Sequence, residues 1–137
     1  MAGTVVQPEG WRRGKGYSHG MVAKGRHVFI GGQIGWNGQF TPVEGGFLEQ
    51  FQQALQNVVA VVVAAGGSPQ DIVRLRAFIN DEAAYRAAKP HLGPIYTDIM
   101  KRNFPTMSFI GVSWLDEPWA LVEIEANAVL PEGGDDD

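Results

Sequence analysis

Apolar and polar residues alternate with a period of two through much of the stretch 104–130, FPTMSFIGVSWLDEPWALVEIEANAVL. Thr106, Ser108, Ile110 and Val112 fall on one side, and Met107, Phe109, Gly111 and Ser113 on the other. Further on, Ala120, Val122, Ile124, Ala126 and Ala128 alternate with Leu121, Glu123, Glu125, Asn127 and Val129. This period predicts two strands joined by a turn. It also sends Glu123 and Glu125 to one face, where by pattern alone they read as spaced acids on a solvated surface.

Upstream, 17–23 and 27–34 read as strands around the turn Lys24-Gly25. Gly31-Gly32 inside the second predicts a bulge or a close backbone approach. Asn37-Gly38 predicts a hairpin between 34–36 and 39–41. The period then changes. Phe47, Phe51, Leu55, Val58, Val59 and Val62 follow helical spacing over 47–65, with Gln50, Gln52, Gln53 and Gln56 on the other side and Gly66-Gly67 as the stop. Ser68-Pro69 predicts a short helical turn, and 73–79 alternates as a strand. Asp81 is placed to cap a second helix over 82–102, which Pro90 and Pro94 kink or divide, with Tyr96 and Ile99 toward the sheet.

The predicted order is β-β-β-α-β-α-β-β. It corresponds to an α+β two-layer sandwich, a mixed β-sheet with two helices on one face. The other sheet face also carries apolar residues, and a monomer has nothing left to cover it, so assembly through the sheet is expected.

Composition narrows the function. A chain of 137 residues makes one domain, assigned here to 16–130, with loosely ordered tails at 1–15 and 131–137. No cysteine is present, so thiolate chemistry and disulfides are excluded. No apolar run reaches membrane-spanning length and the N-terminal residues lack a signal-peptide core, which makes a cytoplasmic protein the expectation. The net charge is −4; Asp135, Asp136 and Asp137 supply −3, leaving −1 for the rest. No basic face stands out, so no nucleic-acid partner is expected. His19, His27 and His91 lack ligand spacing, so no metal site is expected either.

FP-x-x-S followed by VEIEA-x-AV, with GYSHG at 16–20, IGGQIG at 30–35 and AAGGSPQDIVRLRAFIND at 64–81, resembles the reactive intermediate deaminase (Rid, or YjgF-like) family. The segments keep the family's order and spacing over roughly 16–130. The resemblance implies a chorismate-mutase-like fold, a homotrimer with a small-molecule pocket at each subunit boundary, and hydrolytic deamination of enamines or imines without a cofactor. It implies that Glu123 is the catalytic carboxylate, and that Tyr17, Gly32, Gln33 and Ser108 bind substrate. Glu125, two residues along the same face, is expected to be structural.

Two positions depart from the family pattern. Met107 stands where deaminating members carry an arginine that grips the substrate carboxylate, a bidentate role methionine cannot fill. Met107 is therefore expected to line the pocket and to turn it away from simple 2-imino acids, toward aromatic or ring-cleavage metabolites. His19 stands where many members have glutamine and is a candidate acid or base. A pocket lined by Tyr17, Met107 and Ser108 is expected to desolvate Glu123 and raise its pKa. Arg13, Lys15 or Arg102 of a neighbouring subunit are candidates to replace the missing cation. The alternative is a binding protein that kept the pocket and lost catalysis. The ribonuclease activity attached to some relatives is disfavoured by the acidic balance.

Overall fold

In the computed structural model, residues 3–132 are described. The expected long helix forms as α1, Phe47–Ala64. Its apolar stripe, Phe51, Leu55, Val58 and Val62 among others, is fully buried. Helix α1 stops where Gly66 turns to φ +96°, a left-handed conformation glycine adopts without a Cβ penalty. Gln50 departs from the pattern. It is buried, because its Nε2 donates to the Trp119 carbonyl at 3.3 Å and its Oε1 accepts from the Leu121 N–H at 2.8 Å. A helix face that reads as polar thus clamps the loop before the last strand.

The predicted second helix is divided at Pro90, while Pro94 falls inside its second half. Helix α2, Glu82–Ala88, starts under Asp81, whose Oδ1 accepts from the Ala84 N–H at 2.9 Å. Lys89–His91 is a 3-10 turn, and α3 runs Leu92–Met100. Pro90 has no N–H to continue the first ladder. Ser68-Pro69 opens the expected turn, Pro69–Asp71.

The main sheet contains β3 (Arg26–Gln33), β4 (Ile72–Ile79), β5 (Thr106–Gly111) and β6 (Val122–Leu130) in the order β3-β6-β4-β5. Its β3/β6 and β6/β4 pairs are antiparallel and its β4/β5 pair is parallel, so it is mixed. The helices cover one face, and Leu75, Ala77, Val122, Ile124 and Ala126 point into the core between the layers. The α+β sandwich is as expected. The two strands of 104–130 are not neighbours, however: β4 lies between them.

Three local expectations are corrected. Residues 3–6 of the supposedly loose N-terminal tail form β1, Gly3–Val6, which pairs antiparallel with β2, Gly20–Ala23. Thr4, Val5 and Val6 are β-branched and fit a strand. The strand predicted to begin at Tyr17 starts only at Gly20, since Ser18 is bonded elsewhere, as described below. No hairpin strand forms at 39–41, where Trp36 and Pro42 make a single bridge. The Asn37 side chain accepts from the Gln39 and Thr41 N–H groups at 2.9 and 3.0 Å, and the Phe40 ring packs tilted against Trp36. Asn37 therefore builds a compact loop in place of a two-residue turn. The observed order is β-β-β-α-β-α-α-β-β. Of the expected tails, residues 1–2 and 133–137 lie outside the described residues. No helix among the described residues is long and apolar enough to cross a membrane.

Candidate active site

The sheet face away from the helices carries the polar side chains of interest. Register arranges them in rows. Ser108, Arg76 and Glu125 form one, and Ile110, Phe78 and Glu123 the next. Thr106, Arg74, Asn127 and Phe29 form a third. The apolar members Phe29, Phe78 and Ile110 are interleaved with charge, and Phe29 is 77% exposed.

Glu123 sits at the β3 side of this face. The β3/β6 register shifts between Ile30 and Gln33, so the Gly31-Gly32 step is the irregularity its glycines predict. There the Glu123 carboxylate rests directly against Gly32, where an added Cβ would overlap Oε2. Glycine is the residue that allows this contact. Burial raises the Glu123 pKa, and the nearby charges of Glu125 and Asp116 raise it further. Gln33 follows at the end of β3, its Nε2 donating to the Gly31 carbonyl at 3.2 Å. Glu125 differs from Glu123 in having a partner: Arg76 Nη1 donates to its Oε1 at 3.0 Å.

The other predicted residues gather at the β5 side. Ser18 ties the N-terminal segment to the start of β5, its N–H donating to the Pro105 carbonyl at 3.1 Å and its hydroxyl to the Phe104 carbonyl at 2.6 Å. Tyr17 and His19 thereby flank an open cavity of about 720 Å³ that Ser108, Arg74, Arg76 and Asn127 also line. The His19 ring is edge-on to Trp11 and Tyr17, and its Nε2 lies 2.7 Å from the Arg12 carbonyl, to which it donates. That bond commits Nε2 and leaves Nδ1. Met107 borders the cavity but packs against the helix-side core, and it also lines an apolar pocket with Tyr96, Phe104 and Phe109.

One chain therefore does not bring the predicted residues together. Glu123, Gly32 and Gln33 lie toward one edge of the sheet. Tyr17, His19, Met107 and Ser108 lie at the other, and Ser108 is two strand spacings and a two-residue step from Glu123, roughly 12 Å between Cα atoms. The expectation that Tyr17, Met107 and Ser108 desolvate Glu123 does not hold within a chain. The Gly32 contact and the neighbouring acids are what surround its carboxylate. Trp36 and Trp119 pack on each other with centroids 6.0 Å apart, while Trp114 is 74% exposed.

Sequence reasoning missed Arg74, Arg76 and Asp116. The signal for the two arginines was present: a strand pattern that puts Arg74, Arg76 and Phe78 on one face, opposite a buried Leu75, Ala77 and Ile79. The central position of β4, which sets that face beside Glu125, was not readable.

The profile of the family described as Endoribonuclease L-PSP matches residues 12–130. A 2-iminobutanoate/2-iminopropanoate deaminase of Dermatophagoides farinae is 33% identical over 110 residues, 80% of this chain and 82% of that protein. The crystal structure of the Rid-family protein YyfB from Yersinia pestis superposes with a TM-score of 0.82 at 37% identity, covering 95% of this chain and 100% of that one. E. coli TdcF, solved with bound serine, gives a TM-score of 0.67 at 31% identity, covering 93% and 98%.

Proposed function

Because the chain belongs to the Endoribonuclease L-PSP family, also called the Rid or YjgF-like family, we propose that it is an imine or enamine deaminase. It releases ammonia from a reactive small metabolite other than a simple 2-imino acid. The observation that carries this reading is Glu123: a carboxylate seated on the bare backbone of Gly32 with its pKa raised. Such a group exchanges a proton nearer neutral pH than an ordinary glutamate.

In the reaction an enamine first tautomerises to the imine. Glu123 positions water and takes a proton from it as oxygen bonds to the imine carbon. The proton passes to nitrogen, giving a carbinolamine; Glu123 then carries the hydroxyl proton to nitrogen as well, the C–N bond breaks, and ammonia leaves as the carbonyl forms. Arg76 holds Glu125 in an ion pair, which leaves Glu123 as the carboxylate without a side-chain partner among the described residues.

The site is assembled between copies. Gly32 and Tyr17/Ser108 lie toward opposite edges of the sheet, β3 and β5. A head-to-tail ring of subunits sets the β5 side of one against the β3 side of the next, closing a pocket and covering Phe29 and Ile110. The ring is a trimer in this reading, working in the cytoplasm on a small molecule. A second reading, a non-catalytic binding protein, is favoured by one feature: Met107 puts an apolar side chain where deaminating relatives hold a cation.

Ammonia release from a panel of freshly generated imines, for wild type and Glu123→Gln, tests the activity. Turnover by the wild type and its loss in the variant support it; no turnover of any imine leaves the binding protein. Sedimentation equilibrium tests the ring, which should weigh three times the 14.9 kDa chain. A clean monomer overturns the boundary pocket.

A further inference from the structure

Arg74 and Arg76 project from a central strand onto the open face, two residues apart and so roughly 7 Å from Cα to Cα. Both line the 720 Å³ cavity, with His19, His27, Ser108 and Asn127, and no carboxylate among the described residues lines it. This is a concentration of positive charge in a chain whose net charge is −4. Two guanidinium groups on one face repel each other unless an anion lies between or beside them. Only one has a partner: Arg76 donates to Glu125 at 3.0 Å, with both side chains more than a third exposed. Arg74 has no hydrogen bond or ion pair among the described residues, and neither has the hydroxyl of Ser108, the register partner of Arg76.

We propose that Arg74 and Arg76 form a binding site for the carboxylate of a small organic acid, with Ser108 as a further donor. Arginine's planar fork suits a carboxylate bidentately, and Glu125 already shows that Arg76 accepts one. Glu125 then has a second role, holding Arg76 until the ligand's carboxylate competes for it.

The inference rests on the deaminase reading in one respect, the position of the ligand's C–N bond, and there it defines the substrate class. Arg76 and Glu123 are separated by one strand spacing and a two-residue step, roughly 8 Å between Cα atoms. In a 2-imino acid the carboxylate is bonded directly to the imine carbon. A molecule with its carboxylate at the arginines and its C–N bond at Glu123 needs several bonds between them. The substrate is therefore an imine or enamine of a longer oxo acid.

The test is calorimetric titration of the full chain with 5-oxohexanoate, pyruvate and inorganic phosphate. The longer oxo acid should bind more tightly than pyruvate, and its affinity should fall about ten-fold or more in Arg74→Gln and in Arg76→Gln. Glu125→Gln, which frees Arg76, should tighten binding several-fold. Unchanged affinity in the arginine variants overturns the site. Phosphate binding as tightly as the oxo acid overturns the carboxylate assignment, and pyruvate binding as tightly overturns the longer substrate. If an arginine variant fails to fold, Glu125→Gln decides, because both arginines remain; unchanged affinity there is a negative result for the site. The two readings separate cleanly. Arginine-dependent binding with no ammonia release from any imine removes the deaminase and keeps the site. Ammonia release that ignores both arginines does the reverse.

Discussion

The carboxylate of Glu123 on β6 lies against the α-carbon of Gly32 on β3, so closely that a methyl group at position 32 would occupy the space of Oε2. Two strands of one sheet thus hold the proposed catalytic group between a bare backbone and its own neighbours. Gly32→Ala must push the carboxylate aside. Small displacements of a reacting group cost about 10²-fold in rate, so the catalytic rate on any imine substrate should fall by that order. The melting temperature should change far less than the rate, because position 32 lies on the open face, away from the buried core. A variant with wild-type kinetics would show that the contact has no catalytic role.

Glu123→Gln should lower the rate by roughly 10²- to 10⁴-fold, the range for a general acid-base group. Its stability should move the other way. Burial first, then Glu125 and Asp116, raise the folded-state pKa of Glu123. The folded chain therefore holds this proton more tightly than the unfolded chain. The stability this confers is full below the unfolded pKa and is lost as pH rises through the raised value. Relative to Glu123→Gln, the wild type should thus lose melting temperature as pH rises from about 4, the ordinary glutamate range, towards neutrality. Parallel melting curves that keep a constant separation across that range would contradict the raised pKa.

Met107 predicts poor turnover of 2-iminobutyrate. Losing a charge-assisted bond to a carboxylate costs about 1.5–3 kcal/mol, roughly ten- to a hundred-fold in binding. Met107→Arg should recover part of that activity in a steady-state assay of ammonia release. Vigorous wild-type turnover of this substrate would mean that Arg74, Arg76 or another cation grips the short acid directly.

Asn103 offers a test of the scaffold, independent of function. It is buried, and its Nδ2 donates to the carbonyls of Pro69 and Ile72 at 2.8 and 2.9 Å, while its own carbonyl accepts from the Tyr96 hydroxyl at 2.9 Å. Asn103→Ala takes the amide donor from the Ile72 carbonyl, while the Pro69 carbonyl keeps the Ile72 N–H, so the loss should be roughly 1–3 kcal/mol, the cost of one buried unsatisfied group. Urea unfolding at fixed protein concentration should show a loss of that order. A loss below 0.5 kcal/mol, about the scatter of surface substitutions, would indicate that water replaces the amide.

Local features follow from the order of residues alone. The switch from period two to helical spacing marks α1, Asp81 and Pro90 mark the start and the division of the second helix, and Gly31-Gly32 marks the irregular end of β3, because each depends on the chain's immediate neighbours. The alternation of β6 also placed Glu123 and Glu125 on one face. What it left out depends on which strands meet. Only the tertiary structure sets β4 between β5 and β6, and with that order Arg76 meets Glu125 while Glu123 is left with Gly32. Nothing near Gln50 in sequence announces Leu121, its partner across the fold. The tertiary structure likewise parts Tyr17 and Ser108 from Glu123 toward opposite sheet edges. Pairing over long separations follows from packing a whole core, so residues that belong to one motif end up on different sides of the sheet.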